Sequence, residues 1–144
     1  MSSPAVELQK KIRSTIPLSD VMQFEIIELD DHSIRVQAPL SPNVNIHGTG
    51  FAGSIYALAI LTGWAMCMHI LTTENLKGEL VVGKAEIKYR SAVTGDIDCR
   101  CRLDVADRQS FVERVTAAGR AKIKLEVIVG DDANAVLTGT YFVS

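Results

Sequence analysis

The stretch that decides the fold is Phe51-Ala-Gly-Ser-Ile-Tyr-Ala-Leu-Ala-Ile60-Leu-Thr-Gly-Trp-Ala-Met-Cys-Met-His-Ile-Leu71, 21 residues without a charge. It lies within a longer run, Val36 to Thr73, in which none of the 38 residues is Asp, Glu, Lys or Arg. A helix of this length would reach across a bilayer. Its interior carries Ser54, Thr62, His69, Gly53 and Gly63, and no basic cluster flanks it; the nearest basic residues are Arg35 and Lys77. A helix that is apolar on every side must be enclosed by lipid or by its own protein. The rest of the chain reads as amphipathic sheet, so enclosure by protein is expected and a membrane span is not.

Outward from that helix the period of the pattern changes. Toward the N-terminus, Ser3-Pro4 opens a helix with Leu8, Ile12 and Ile16 at helical spacing, and Pro17 is read as its end. Val21 to Leu29 and Ile34 to Leu40 read as strands joined by the turn Asp30-Asp31-His32-Ser33. The loop Ser41 to Gly50 follows. After Lys77-Gly78 a strand carries Ala85, Ile87 and Tyr89 on one side, and the next alternates Ile97, Cys99, Cys101, Leu103 and Val105 with polar residues. Such alternation buries one face and wets the other, as in antiparallel sheets. Ser110-Phe-Val-Glu113 has the spacing of a capping box and is read as opening a short helix that ends near Gly119. Ala121 to Val129 and Ala135 to Val143 are the last strands. The class is therefore α+β: a curved antiparallel sheet wrapped around one long apolar helix. Such a sheet leaves an edge strand and some helix surface uncovered, so a homodimer, with pairing into a tetramer open, is expected.

The whole chain, 144 residues with 47% apolar and 22% charged residues, suits one domain, 1–144. A net charge of −2 argues against nucleic-acid binding through phosphate contacts. The N-terminal residues from Met1 have no apolar core of a signal peptide, which points to the cytoplasm. Three cysteines, Cys67, Cys99 and Cys101, have no metal-ligand spacing and read as reduced core thiols; no metal and no cofactor are expected.

The loop and helix start, Asn45-Ile-His47-Gly48-Thr49-Gly50-Phe51-Ala-Gly53-Ser54-Ile-Tyr56-Ala-Leu-Ala59 with Gly63-Trp64 and the downstream Gly119-Arg120-Ala-Lys-Ile, resembles the thioesterase-like family typified by the C-terminal domain of the YiiD proteins. The resemblance extends over nearly the whole chain and implies the hotdog fold. It also implies an acyl thioester of CoA or acyl carrier protein as substrate, with the thioester carbonyl at the N-terminus of the central helix. The family is labelled thioesterase, and its single-domain members include malonyl-acyl-carrier-protein decarboxylases. Fold alone does not choose between these.

The helix N-terminus suits a developing oxyanion because its first N–H groups lack partners and its dipole is positive there. Gly48, Gly50 and Gly53 would admit a substrate to that backbone. Many hotdog thioesterases place a carboxylate on this helix; here the resemblance puts Ile60 near that position, and the helix has no acid at all. A hydrolase would need a base elsewhere, at His47, Glu74 or on a partner subunit. Decarboxylation of a malonyl thioester needs only oxyanion stabilisation and a dry pocket. On that ground the sequence favours a malonyl-acyl-carrier-protein decarboxylase, with thioester hydrolysis second and a non-catalytic acyl-thioester binding module third. Asn45 is the first catalytic candidate, as an N–H donor, and His47 the second. Asn43, beside Pro42, reads as structural. Gly48, Thr49, Gly53, Ser54 and Tyr56 are candidates to line the site; Trp64, His69 and Tyr89 read as packing residues. From Lys77 to Lys124 there are 11 of the 15 basic residues and seven acidic ones, and Arg120 is the candidate contact for an acidic carrier or CoA phosphates.

Overall fold

The computed structural model describes residues 3–144; Met1 and Ser2, the start of the N-terminal stretch read above, lie outside the described residues. The elements are α1 (Pro4–Thr15), α2 (Pro17–Met22), β1 (Glu25–Leu29), β2 (Ser33–Ala38), a 3-10 turn (Ser41–Asn43), α3 (Ala52–Thr73), β3 (Leu80–Tyr89), β4 (Ile97–Arg102), α4 (Val105–Ala118), β5 (Ala121–Val129) and β6 (Ala135–Val143). All strands belong to one antiparallel sheet in the order β1-β2-β4-β5-β6-β3.

The sheet wraps α3. Val36, Cys99, Val127, Leu137 and Tyr141 of its inner face are fully buried, together with Leu58, Ala59, Ala65, Met66 and Ile70 of the helix. Twelve of the 22 residues of α3 are buried in this way. Tyr56, Ile60, Trp64 and Met68, spaced four apart on the remaining face, are only half-buried. The fold is thus the hotdog expected from the sequence, with one apolar stripe of its helix left partly open. Gly63 belongs to the closed side: a side chain there would run into the Tyr141 hydroxyl, which donates to Ile60 O at 2.7 Å. The cysteines are buried, and burial pushes the Cys99 and Cys101 thiols up to about 12.

Three local expectations are corrected. Pro17 does not end helical structure; it occupies the first position of α2, where its missing N–H costs nothing. Val21 and Met22 are therefore helical, and β1 starts only at Glu25, after Gln23 turns the chain in a left-handed conformation (φ 61°). The short helix is fixed to α1 by Arg13 Nε on Asp20 Oδ1 (2.9 Å), and the buried Ser19 hydroxyl donates to Ile16 O (2.7 Å). The third correction concerns α4. Strand β4 stops at Arg102, α4 begins at Val105, and Ser110 lies in mid-helix, where its Oγ accepts from Arg114 Nε instead of capping. The helix does end at Gly119 (φ 72°).

Candidate functional site

The loop before α3 is a small closed structure built around Asn45. Asn45 Oδ1 accepts from the N–H groups of His47 (2.8 Å) and Thr49 (3.1 Å). Its Nδ2 donates to Thr49 Oγ1 at 2.8 Å and to Gly50 O at 3.3 Å. The second of these is longer than a good N–H···O bond, so that proton is weakly held. Gly48 makes the reversal at φ 81°, a conformation that favours glycine. The loop is anchored at both sides: Gly50 N donates to Val93 O and Phe51 N to Asn43 O, each at 2.8 Å. Asn43 is 1% exposed and donates to Met22 O and Pro39 O, tying the end of α2 to the loop. Its role is structural, through these hydrogen bonds.

No side chain among the described residues caps α3. The N–H groups of Ala52, Gly53 and Ser54 therefore point out of the helix without a partner from the helix or a cap, at the positive end of its dipole. The Phe51 ring lies against Gly53, where any side chain would collide with it. Directly beside this turn is a groove of about 500 Å³ lined by Gly53, Tyr56, Ala57 and Ile60 of α3, by Ile16, Leu18 and Met22 around α2, and by Tyr89. No charged side chain among the described residues lines it. Its polar groups are two phenols: Tyr89 Oη donates to Ala52 O at 2.8 Å, and Tyr56 Oη to Ala85 O at 3.3 Å.

The structure thus brings Gly53 and Tyr56 to one groove. Asn45, Gly48 and Thr49 lie in the loop that leads into the helix start, with Asn45 and Thr49 bonded to each other. His47 is exposed at the loop tip, and Ser54 is half-buried in the first turn. Arg120 is exposed ahead of β5 and lines a different groove. Tyr89, read from sequence as packing, is 48% exposed and stands in the groove wall. The wall from Ile16, Leu18 and Met22 also escapes the sequence pattern, which ends helical structure at Pro17 and places Met22 in a strand. The Tyr89 hydroxyl is held above its ordinary range by burial and by Tyr56. His69 sits at the far end of α3, 3.8 Å from Asp31, away from this groove. Among the described residues no group of three His, Cys, Asp or Glu side chains is placed to hold a metal.

The fold and chain length recur in solved structures. A protein of unknown function from Chlorobaculum tepidum superposes with a TM-score of 0.91 at 28% identity, over 96% of this chain and 93% of the other. A putative thioesterase from Shewanella oneidensis superposes at 0.83 with 34% identity, over 99% of both chains. A probable thioesterase from Pseudomonas aeruginosa has the same fold, at 0.81 with 21% identity over 99% and 97%. Residues 5–144 match the family described as putative thioesterase, YiiD C-terminal domain. A match of that extent, on a hotdog with an uncapped central helix and a glycine-rich entry loop, makes this chain a member of the YiiD C-terminal thioesterase-like family.

Proposed function

We propose that the chain is a malonyl-thioester decarboxylase, acting on malonyl-acyl carrier protein and supplying acetyl thioesters for the start of fatty acid synthesis. The observation that carries this reading is the chemistry of the groove: Ile60 stands in its wall, and no carboxylate or other charge among the described residues lines it. Hydrolysis needs an activated water or a nucleophile, for which the described residues of this chain bring no carboxylate or imidazole to the groove. Decarboxylation needs neither. The C–C bond to the substrate's carboxylate breaks, CO2 leaves, and the electron pair moves onto the thioester oxygen as an enolate. Its charge is stabilised by the unpartnered N–H groups of Ala52, Gly53 and Ser54, with Asn45 Nδ2 turning its loosely held proton from Gly50 O to the same oxygen. Apolar walls desolvate the malonyl carboxylate, and charge dispersal in the transition state relieves that penalty. A proton on the enolate carbon then completes the acetyl thioester. In this reading Thr49 and Gly48 hold Asn45, Ser54 and Tyr56 border the substrate, and His47, exposed at the loop tip, is a candidate proton carrier.

The site is proposed to work in a homodimer. Strand β3 is an edge of the sheet; its Tyr89 end lines the groove and its other end exposes Val81 and Val82. Two-fold pairing of β3 with its copy would cover this edge. A second reading, hydrolysis of a longer acyl thioester, draws on the groove's size and its apolar wall of Ile16, Leu18 and Met22, which suit an aliphatic chain.

The test is the product. Malonyl thioester is incubated with the protein while CO2 and free thiol are followed together. Decarboxylation yields CO2 and acetyl thioester without free thiol. Free thiol without CO2 sinks the proposal in favour of hydrolysis, and neither product leaves a binding module. Asn45→Asp keeps the acceptor that shapes the loop and removes the donor. It should lower kcat about 100-fold, the effect of about 3 kcal/mol from one lost oxyanion donor. Unchanged turnover would remove Asn45 from the mechanism.

A further inference from the structure

We infer that the outer face of the sheet at the Val81 end of β3 docks an acidic carrier protein, and that it serves the thioester site of the other subunit. The inference rests on the thioester reading and on the dimer proposed above. Across this face the strands align two rows, Lys122–Phe142–Val81 and Lys124–Thr140–Lys84. Arg114 and Arg120 close the end of the patch, around a groove of about 470 Å³ floored by Ala118, Ala121 and Phe142. Among the described residues none of these five cations has a carboxylate partner. Arg114 is held in place, with Nη1 donating to Lys122 O at 2.8 Å, so its charge is fixed on the surface.

The centre of the patch is apolar. The Phe142 ring is 39% exposed and lies over Gly83, where any side chain would collide with it. The next row, Glu126–Thr138–Glu86, is acidic and bounds the patch on one side. At the strand ends Ser144 lines the groove and pairs through its backbone with Glu79. Lys84 and Lys124 are two strands apart, about 10 Å at ordinary strand spacing. Cations spread that widely around an apolar centre match a helix carrying several carboxylates and one apolar contact, rather than a single phosphate group.

Within one chain this patch is badly placed. Val81 and Tyr89 are eight residues apart on β3, about 26 Å along an extended strand. Antiparallel pairing of β3 with its own copy reverses that relation. The Val81 end of one subunit then lies beside the Tyr89 end of the other, so each patch and the opposite site share one end of the paired strands, on the outer and inner faces of the sheet, with the carrier's arm reaching round the strand ends.

The first experiment needs no turnover. Holo acyl carrier protein is titrated against the full chain and against Lys122→Glu/Lys124→Glu. The dissociation constant should rise at least ten-fold and lose most of its salt dependence; equal affinity overturns the docking surface. Because this reads binding alone, it stands or falls apart from the decarboxylase reading. The same variant should raise KM for the malonyl carrier protein at least ten-fold more than for malonyl-CoA. An equal rise for both would mean the patch reads phosphate, and would overturn the carrier assignment. The second experiment uses mixed dimers. One subunit carries Asn45→Ala with a native patch, and the other a native loop with Lys122→Glu/Lys124→Glu. Docking across subunits predicts a near-native KM for the carrier-bound substrate. A KM as high as that of the Lys122→Glu/Lys124→Glu homodimer overturns the cross-subunit arrangement.

Discussion

At the scale of single residues, two positions show how closely this fold is fitted. Gly63 and Tyr141 lie 78 positions apart in sequence, yet the phenol occupies the space a side chain at Gly63 would need. Gly63→Ala should destabilise the protein by about 1–3 kcal/mol, as overpacking does. Tyr141→Phe removes only the hydroxyl that meets Ile60 O and should cost about 1 kcal/mol. The double substitution should lose close to the sum, because two ring carbons that Phe keeps, Cζ and Cε2, also stand only 2.7 and 2.9 Å from where the new methyl would be. A loss well below the sum by urea denaturation would mean that the hydroxyl alone excludes a side chain at position 63. Asn45 shows the limit of reading a residue from its type. The sequence marks an Asn in a glycine-rich loop as a donor, but its amide is also the loop's own frame, with four hydrogen bonds from one side chain.

At the scale of elements, α3 is legible because nothing but enclosure accounts for 21 uncharged residues in a chain of otherwise amphipathic pattern. The strands are legible from strict alternation. The errors have a common cause: the local signal has two meanings. Proline stops one helix and suits the first turn of the next, and a spacing of three joins cap to N3 but equally joins neighbours inside a helix. Tyr89 and the α2 wall are hidden for another reason, since residues 16–22 and 89 meet α3 only in the folded chain. The far end of α3 gives a pH prediction. Burial holds the His69 imidazole below its ordinary pKa of 6.5, with Arg108 adding to the effect and Asp31 opposing it. The unfolded chain therefore takes up this proton first. The contribution of neutral His69 to stability is complete above pH 6.5 and is lost as the pH falls through the lowered folded value. Unfolding free energy should decline from pH 7 to 5, and His69→Gln should flatten part of that slope. An identical slope in both proteins would remove His69 as its source.

At the scale of the whole molecule, the sheet is asymmetric. One edge, β1, is shielded by α1, which places Gln9 Oε1 to accept from Ile26 N at 2.8 Å. Among the described residues the other edge, β3, is met by side chains of the open stripe of α3 alone, Tyr56 Oη donating to Ala85 O and Trp64 Nε1 to Leu80 O. The native mass should accordingly be twice 15.7 kDa by sedimentation, with those β3 amides that face away from β6 slow to exchange only in the associated form. A mass of one chain that persists at high concentration would refute the pairing. The sheet order has one further consequence, for the growing chain. Strands β4, β5 and β6, which make most of the wall around α3, all follow it in sequence. On the ribosome the 22-residue helix therefore emerges before its cover exists, and nothing in it repels another copy or a chaperone's apolar groove. Synthesis halted near Glu74 would leave an aggregation-prone fragment, so the C-terminal half of this protein acts as the solubiliser of its own middle.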